Sequence, residues 1–331
     1  MRKSVWRLMA LAVAMAPLTI GTSYAQSLSD LANDTATPGD VLTYGMGYGQ
    51  QRYSPLDQIN SSNANALAPV WAYSLNDGRG QESFPLVHNV VMYVTNHKAT
   101  MALDAKTGRQ IWKSGVEYPA ETPRVASCGI VNRGAAMLDD KLFRTTLDAH
   151  FIALDMATGA ELWRTKSIDF KDGYSFTVAP LVANGVVIVG ISGGEYGVRG
   201  YIEGYDANSG ERLWRTYTVP APGETGSDNW PEGDAWERGG GPAWLTGTYD
   251  PDLNTVYWGT GNAGPWNAGV CPGDNLYTTS ILALDPKSGA IKWHYQTTPN
   301  DPFDYDATNE LVLAEMDGQK VLMQANRNGF L

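Results

Sequence analysis

The 331-residue chain is poor in the features that would assign it quickly. It has only two cysteines, Cys128 and Cys271, and neither CxxC nor CxxCH occurs. That excludes a disulfide-built domain, a zinc ribbon and covalently attached haem. The four histidines (His88, His97, His150 and His294) are scattered, which suits surface or packing roles better than metal ligation. Charged residues make up only 18% and the net charge is −11, so no basic face exists to meet phosphates, and nucleic acid is not expected as a partner. Beyond the N-terminus no apolar run approaches the roughly 18 residues of a membrane span. What is abundant is glycine and aromatic residue, with 36 Gly, 17 Tyr and 11 Trp, a composition of strands and turns rather than helices.

The first 25 residues read as an export signal. Arg2, Lys3 and Arg7 precede an apolar stretch over residues 8–20, and Ser23-Tyr24-Ala25 forms a small-x-small cleavage site. The expected product is residues 26–331, exported, most simply to a periplasm. No cysteine lies near the cleavage site to take a lipid anchor.

Four segments repeat one pattern: ALDAKTGRQIW, ALDMATGAELW, GYDANSGERLW and ALDPKSGAIKW, ending at Trp112, Trp163, Trp214 and Trp293. Each has Asp, Gly four residues later, and Trp four residues after that. The Asp-x-x-x-Gly piece suits a tight turn in which Gly supplies positive φ, and Trp falls on the strand leaving it. Alternating runs such as NVVMYVTN and GVVIVGIS precede each turn, so each unit predicts a sheet of about four antiparallel strands. Stacked sheets of this kind make an all-β propeller. The last Trp interval is longer than the others, which predicts an insertion within GETGSDNWPEGDAWERGGG. A fifth unit begins at LVLAEMDGQKVLMQANRNGFL.

Three polar turns lie outside the repeat. SGGEYGVRG holds Glu195, GTGNAGPWN holds Asn262, and DPFDYDATNE holds Asp304 and Asp306. Alone, the Asp-x-Asp pair would read as a solvated acidic turn. Placed on loops of successive units, these oxygen donors would converge on one end of the propeller axis, a set suited to a hard cation. GTGNAG also satisfies GxGxxG, but Pro265 and Trp266 follow where a dinucleotide fold needs a helix, so that reading fails.

The Trp repeat, the SGGE and GTGN turns and the DYD segment together resemble the pyrroloquinoline quinone (PQQ) dependent alcohol dehydrogenases, from about Tyr44 onward. The resemblance implies an eight-bladed propeller with quinone and metal on its axis, about four to five blades of it present here. It implies Glu195, Asn262 and Asp304 as metal ligands. Asp304 would also be the base that takes the alcohol proton during hydride transfer to quinone C5. Arg327, in ANRNGF, matches an arginine at the same oxygen. Trp244 matches the floor under the quinone ring; Glu82, Arg133, Thr177 and Ser192, with Gly193 and Gly194 beside it, match groups around the quinone's carboxylates and carbonyls. Members that use lanthanides carry Asp two positions after the base, as Asp306 stands here; calcium-dependent members carry a small residue. The resemblance therefore favours a lanthanide over Ca²⁺, a small alcohol as substrate and a separate cytochrome c as acceptor.

Two departures accompany it. The family's CCDxVNRG reads SCGIVNRG here, so Ser127 and Gly129 replace Cys and Asp and no vicinal disulfide can form at Cys128. Pro242 replaces a cofactor-contacting Thr. The competing readings are a truncated, inactive remnant of such an enzyme and a non-catalytic scaffold propeller sharing the Trp repeat.

Overall fold

The computed structural model describes residues 26–33, 36–126 and 129–331. The export signal and the Ser127–Cys128 pair lie outside the described residues. Four antiparallel sheets follow one another in chain order: β1 (Leu86–His88) to β4 (Gln110–Gly115) by way of β2 (Val91–Asn96) and β3 (Ala99–Asp104); then β5 (Ala136–Leu138), β6 (Lys141–Thr145), β7 (His150–Asp155) and β8 (Glu161–Lys166). The third contains β9 (Leu181–Ala183), β10 (Val186–Gly190), β11 (Tyr201–Asp206) and β12 (Arg212–Tyr217). The fourth contains β13 (Thr248–Asp250), β14 (Thr255–Gly259), β15 (Ser280–Leu284) and β16 (Ile291–Gln296). A hairpin of β17 (Val312–Met316) and β18 (Gln319–Met323) begins a fifth. These are the blades that the repeat predicts: each is a simple meander whose fourth strand is the most exposed, the strands before it being largely buried.

The repeated turn is a self-satisfied unit. Asp104 Oδ1 accepts the main-chain N–H groups of Lys106 and Thr107 and the Thr107 hydroxyl, at 2.9–3.0 Å. Asp206 and Asp285 do the same with Asn208/Ser209 and Lys287/Ser288. Trp112, Trp163 and Trp214 each dock on the turn of the following blade. The Trp112 indole N–H donates to Met156 O at 3.0 Å and the Trp214 N–H to Pro286 O at 3.0 Å. The turn glycine lies flat against the ring: a Cβ on Gly159 would collide with Trp112, one on Gly289 with Trp214.

One docked tryptophan lies outside the four repeats. Trp71, in residues 69–75 that join no sheet, donates to Ala105 O at 3.1 Å and covers Gly108 in the same manner. Trp293 does the reverse. It remains 45% exposed and meets no such turn among the described residues.

The extra length of the fourth unit divides between two loops. Residues 218–247, which contain the segment expected to hold it, account for part; residues 260–279, between β14 and β15, hold the rest. The expected single insertion is corrected to that extent.

In a meander, the link into the first strand and the link between second and third strands fall at one end, and the Asp-x-x-x-Gly turns at the other. The inner ends of the blades are laced by main-chain hydrogen bonds: Phe84 N to Arg133 O at 2.9 Å, Arg133 N to Thr177 O at 3.0 Å, Ala243 N to Ile191 O at 2.8 Å and Ala307 N to Thr260 O at 2.9 Å. The backbones approach so closely that a Cβ on Gly190 would strike Ala243 O, and one on Gly259 would strike Ala307 O.

Candidate cofactor and metal site

Every residue expected to carry chemistry lies on the links at that laced end. Glu82, Arg133, Thr177, Trp244, Asp304 and Asp306 lie on links entering a first strand. Ser192, Gly193, Gly194, Glu195 and Asn262 lie between second and third strands, and Arg327 follows β18. One cavity of about 210 Å³ is lined by Glu82, Arg133, Thr177, Ser192, Gly193, Glu195, Trp244, Asp304, Asp306 and Arg327. Gly129 and Pro242, two of the three departing positions, line it as well, together with Val131. Gly194 and Asn262 stand behind the wall. Gly194 packs against the Pro242 ring, where a Cβ would clash.

One wall is a hydrogen-bonded chain. Arg133 pairs with Glu82 at 2.8 Å and donates to Thr177 Oγ1 at 2.6 Å, which lies 2.8 Å from Ser192 Oγ. Its guanidinium also lies 4.7 Å from the centre of the Trp244 indole. A flat aromatic surface with cationic and hydroxyl donors at its edge suits a planar, multiply anionic ligand.

The other wall is acidic. Asp304 and Asp306 both adopt left-handed backbone, φ 59°, which a short polar side chain tolerates. The brace for this shape is Asp301, 2% exposed. Its Oδ1 accepts Phe303 N at 2.8 Å, and its Oδ2 accepts Tyr305 N at 2.8 Å and Asp306 N at 3.3 Å. Sequence reasoning missed this role, although Asp301 belongs to the same acidic run. The remaining carboxylate of that run, Glu310, leaves the site to pair with Arg52 at 2.9 Å.

Asp306 is 4% exposed and accepts the main-chain N–H of Asn262 at 2.7 Å. Burial chiefly, with repulsion from Asp304, pushes its pKa up to about 7 against those donors. Partial burial, reinforced by Glu195 and Asp301 and opposed by Arg327, also raises that of Asp304. Arg327 donates to the Asp304 carbonyl at 2.8 Å. Asn262 Nδ2 donates to Ala263 O at 2.8 Å, which leaves Asn262 Oδ1 buried with no hydrogen-bond partner among the described residues. Carboxylates short of positive charge beside an orphaned carbonyl oxygen fit a hard cation. Glu195 lies exposed on the cavity rim. Among the described residues no three His, Cys, Asp or Glu side chains converge into a closed metal cluster.

Known proteins share this architecture. Residues 42–331 match the family model described as PQQ glucose/ethanol/alcohol dehydrogenase, β-propeller domain. The chain is 41% identical to the quinoprotein alcohol dehydrogenase PedH of Pseudomonas putida, over 96% of this chain and 57% of the relative. It is 38% identical to the lanthanide-dependent methanol dehydrogenase of Methylacidiphilum fumariolicum, over 93% of this chain and 55% of that protein. Among solved structures, the quinohemoprotein alcohol dehydrogenase from Comamonas testosteroni superposes with a TM-score of 0.86 at 42% identity, over 91% of this chain and 48% of that one. A europium-containing methanol dehydrogenase gives 0.86 at 38% identity, over 91% and 57%. The chain thus spans about half the length of the curated relatives it matches. On the family match and these identities, the chain belongs to the PQQ-dependent alcohol dehydrogenase family.

Proposed function

We propose that the chain serves PQQ- and metal-dependent oxidation of a small alcohol to an aldehyde, after export to the periplasm, with electrons passing to a cytochrome c. The observation that carries this reading is the pairing, in one cavity, of an Arg133–Thr177–Ser192 donor wall over Trp244 with an acidic wall backed by the orphaned Asn262 oxygen.

Arg133, Thr177, Ser192 and Glu82 hold the quinone's polar edge, Gly193 and Gly194 let the backbone approach it, and Trp244 supports its ring. Glu195, Asn262, Asp304 and Asp306 hold the cation. Bound there, the quinone supplies the hydride acceptor and the metal a Lewis acid. Asp304 takes the proton from the alcohol oxygen. A raised pKa makes it a better base, and Arg327, bonded to its carbonyl, fixes where that base points. The Arg327 charge also stabilises negative charge developing on oxygen. Three carboxylates match a trivalent ion better than a divalent one, and relatives named for lanthanide dependence and europium content support that choice. The test is dye reduction by a primary alcohol after loading the chain with PQQ and either La³⁺ or Ca²⁺. Turnover with La³⁺ is expected; turnover with Ca²⁺ alone contradicts the lanthanide choice, and none with either ion contradicts the function.

A further inference from the structure

Glu82, its carboxylate paired with Arg133 at 2.8 Å, closes a stretch, residues 77–82, that joins no sheet, so no strand ladder holds the backbone behind it. On one side Ser83 Oγ lies 2.9 Å from Thr95 Oγ1 and accepts Thr95 N at 3.2 Å. On the other stands a compact ionic cluster. Asp77 Oδ1 accepts Arg79 N at 3.2 Å and Arg79 Nε at 3.0 Å, and Oδ2 accepts the guanidinium at 3.3 Å.

His97 completes the cluster. It is 4% exposed, on the turn joining β2 to β3, with Nδ1 3.1 Å from Asp77 Oδ2 and Nε2 2.8 Å from the Arg79 guanidinium. A guanidinium only donates, so Nε2 accepts, Nδ1 carries the hydrogen toward Asp77, and the ring is neutral. Its other neighbours do not invite a proton. Lys98 and Arg144 add positive charge, Tyr118 stacks at 6.5 Å, and Asp77 opposes them as an anion. Burial first and Arg79 second hold its pKa down to about 4. The backbone beneath is fixed too, because the Tyr118 hydroxyl and Arg144 both donate to His97 O.

We infer that Asp77, Arg79 and His97 form a clamp that positions Glu82 at the cavity, and that acid opens it. A proton on Nε2 would face the guanidinium across 2.8 Å, so the Arg79 contact breaks and residues 77–82 loosen. The sign follows from linkage. A histidine whose folded pKa is depressed contributes stability that is complete above its ordinary value of about 6.5 and is lost as pH falls toward about 4. The inference rests on the proposed function only in giving Glu82 a quinone to hold; the clamp itself is a statement about the loop.

Two readouts keep those apart: hydrogen exchange of residues 77–83 from pH 7.5 to 5, corrected for intrinsic rates, and PQQ titration by tryptophan fluorescence. In the wild type, loop exchange should accelerate as pH falls. Asp77→Asn should be fast already at pH 7.5, with the sheets unchanged and PQQ affinity weakened roughly tenfold, the worth of one charge-assisted hydrogen bond. His97→Gln, which can accept from Arg79 but cannot titrate, should be flat with pH. Unchanged loop exchange in Asp77→Asn overturns the clamp, as does a loosened loop with unaltered PQQ affinity. A wild type that binds no PQQ at any pH contradicts the proposed function instead, and loop exchange alone then decides the clamp.

Discussion

The aspartates at the two ends of the blades are the same residue put to opposite uses. Those of the outer turns are saturated with donors: hydrogen bonds from Thr107 hold Asp104 below the usual carboxylate range, and those from Ser209 do the same for Asp206. Asp304 and Asp306, on the axial loops, are short of donors, and burial lifts both above that range. The outer carboxylate is the most comfortable as an anion with nothing bound. The axial pair is comfortable only when something positive, or a proton, arrives. Stability is concentrated at one end of the fold and unmet electrostatic demand at the other, where function belongs.

The largest effect that can sharpen this contrast is catalytic. Asp304→Asn keeps the shape and removes the proposed base, so turnover of the PQQ- and metal-loaded chain should fall by about 10²–10⁴-fold with an unchanged circular dichroism spectrum. Retained turnover would move the base elsewhere.

Next comes the docking that the outer turns serve. Trp112→Ala empties a packed contact and should cost about 3–5 kcal/mol in denaturant unfolding, whereas Trp293→Ala, at the exposed position, should cost less than about 1 kcal/mol. Equal losses would mean that the turn contact is not what makes these tryptophans structural.

Smaller, and opposite in sign along pH, are the two kinds of aspartate themselves. Asp206→Ala removes three hydrogen bonds to the turn and should cost about 1–2 kcal/mol near neutral pH. That contribution is present above the ordinary carboxylate pKa of about 3.9 and lost in stronger acid. Asp306 has a raised folded pKa, so its contribution in the metal-free chain is present below about 3.9 and lost as pH rises through about 7. Unfolding of the metal-free chain should therefore show Asp306→Asn gaining stability over the wild type as pH rises from 4 to about 7. Taking the difference between the two proteins removes the contribution of His97, which runs the other way over the same range.

The blades were legible because their signature is local: Asp, Gly and Trp fall within nine residues and each copy repeats the same turn, although the Trp docks on the turn of the next blade. Trp71 escaped notice because it brings no turn of its own and borrows that of β3 and β4. The insertion was only half placed, since GTGNAGPWN read as a motif rather than as a lengthened loop. Among the site residues, Glu195, Asn262, Asp304 and Asp306 were legible from side-chain type and position on successive links and the others only through the family resemblance; all but Gly194 and Asn262 line the one cavity. What sequence could not separate is the acidic run itself. Asp301 braces, Asp304 and Asp306 face the cavity, and Glu310 turns away to Arg52, yet all are carboxylates within ten residues, and only backbone φ and burial tell them apart. The Asp77–His97–Arg79 cluster was equally hidden, because its partners come from a loop and from the turn of a neighbouring sheet.

The central claim is that the axial pair, unlike the turn aspartates, exists to hold a multivalent cation. Titrating Eu³⁺ luminescence into the PQQ-loaded chain, beside Asp306→Ala and Asp206→Ala, tests it most directly. The expected result is saturable binding in the wild type and in Asp206→Ala, weakened by ~100-fold or more in Asp306→Ala. Superimposable titrations for the wild type and Asp306→Ala, or an equal loss in Asp206→Ala, would contradict it.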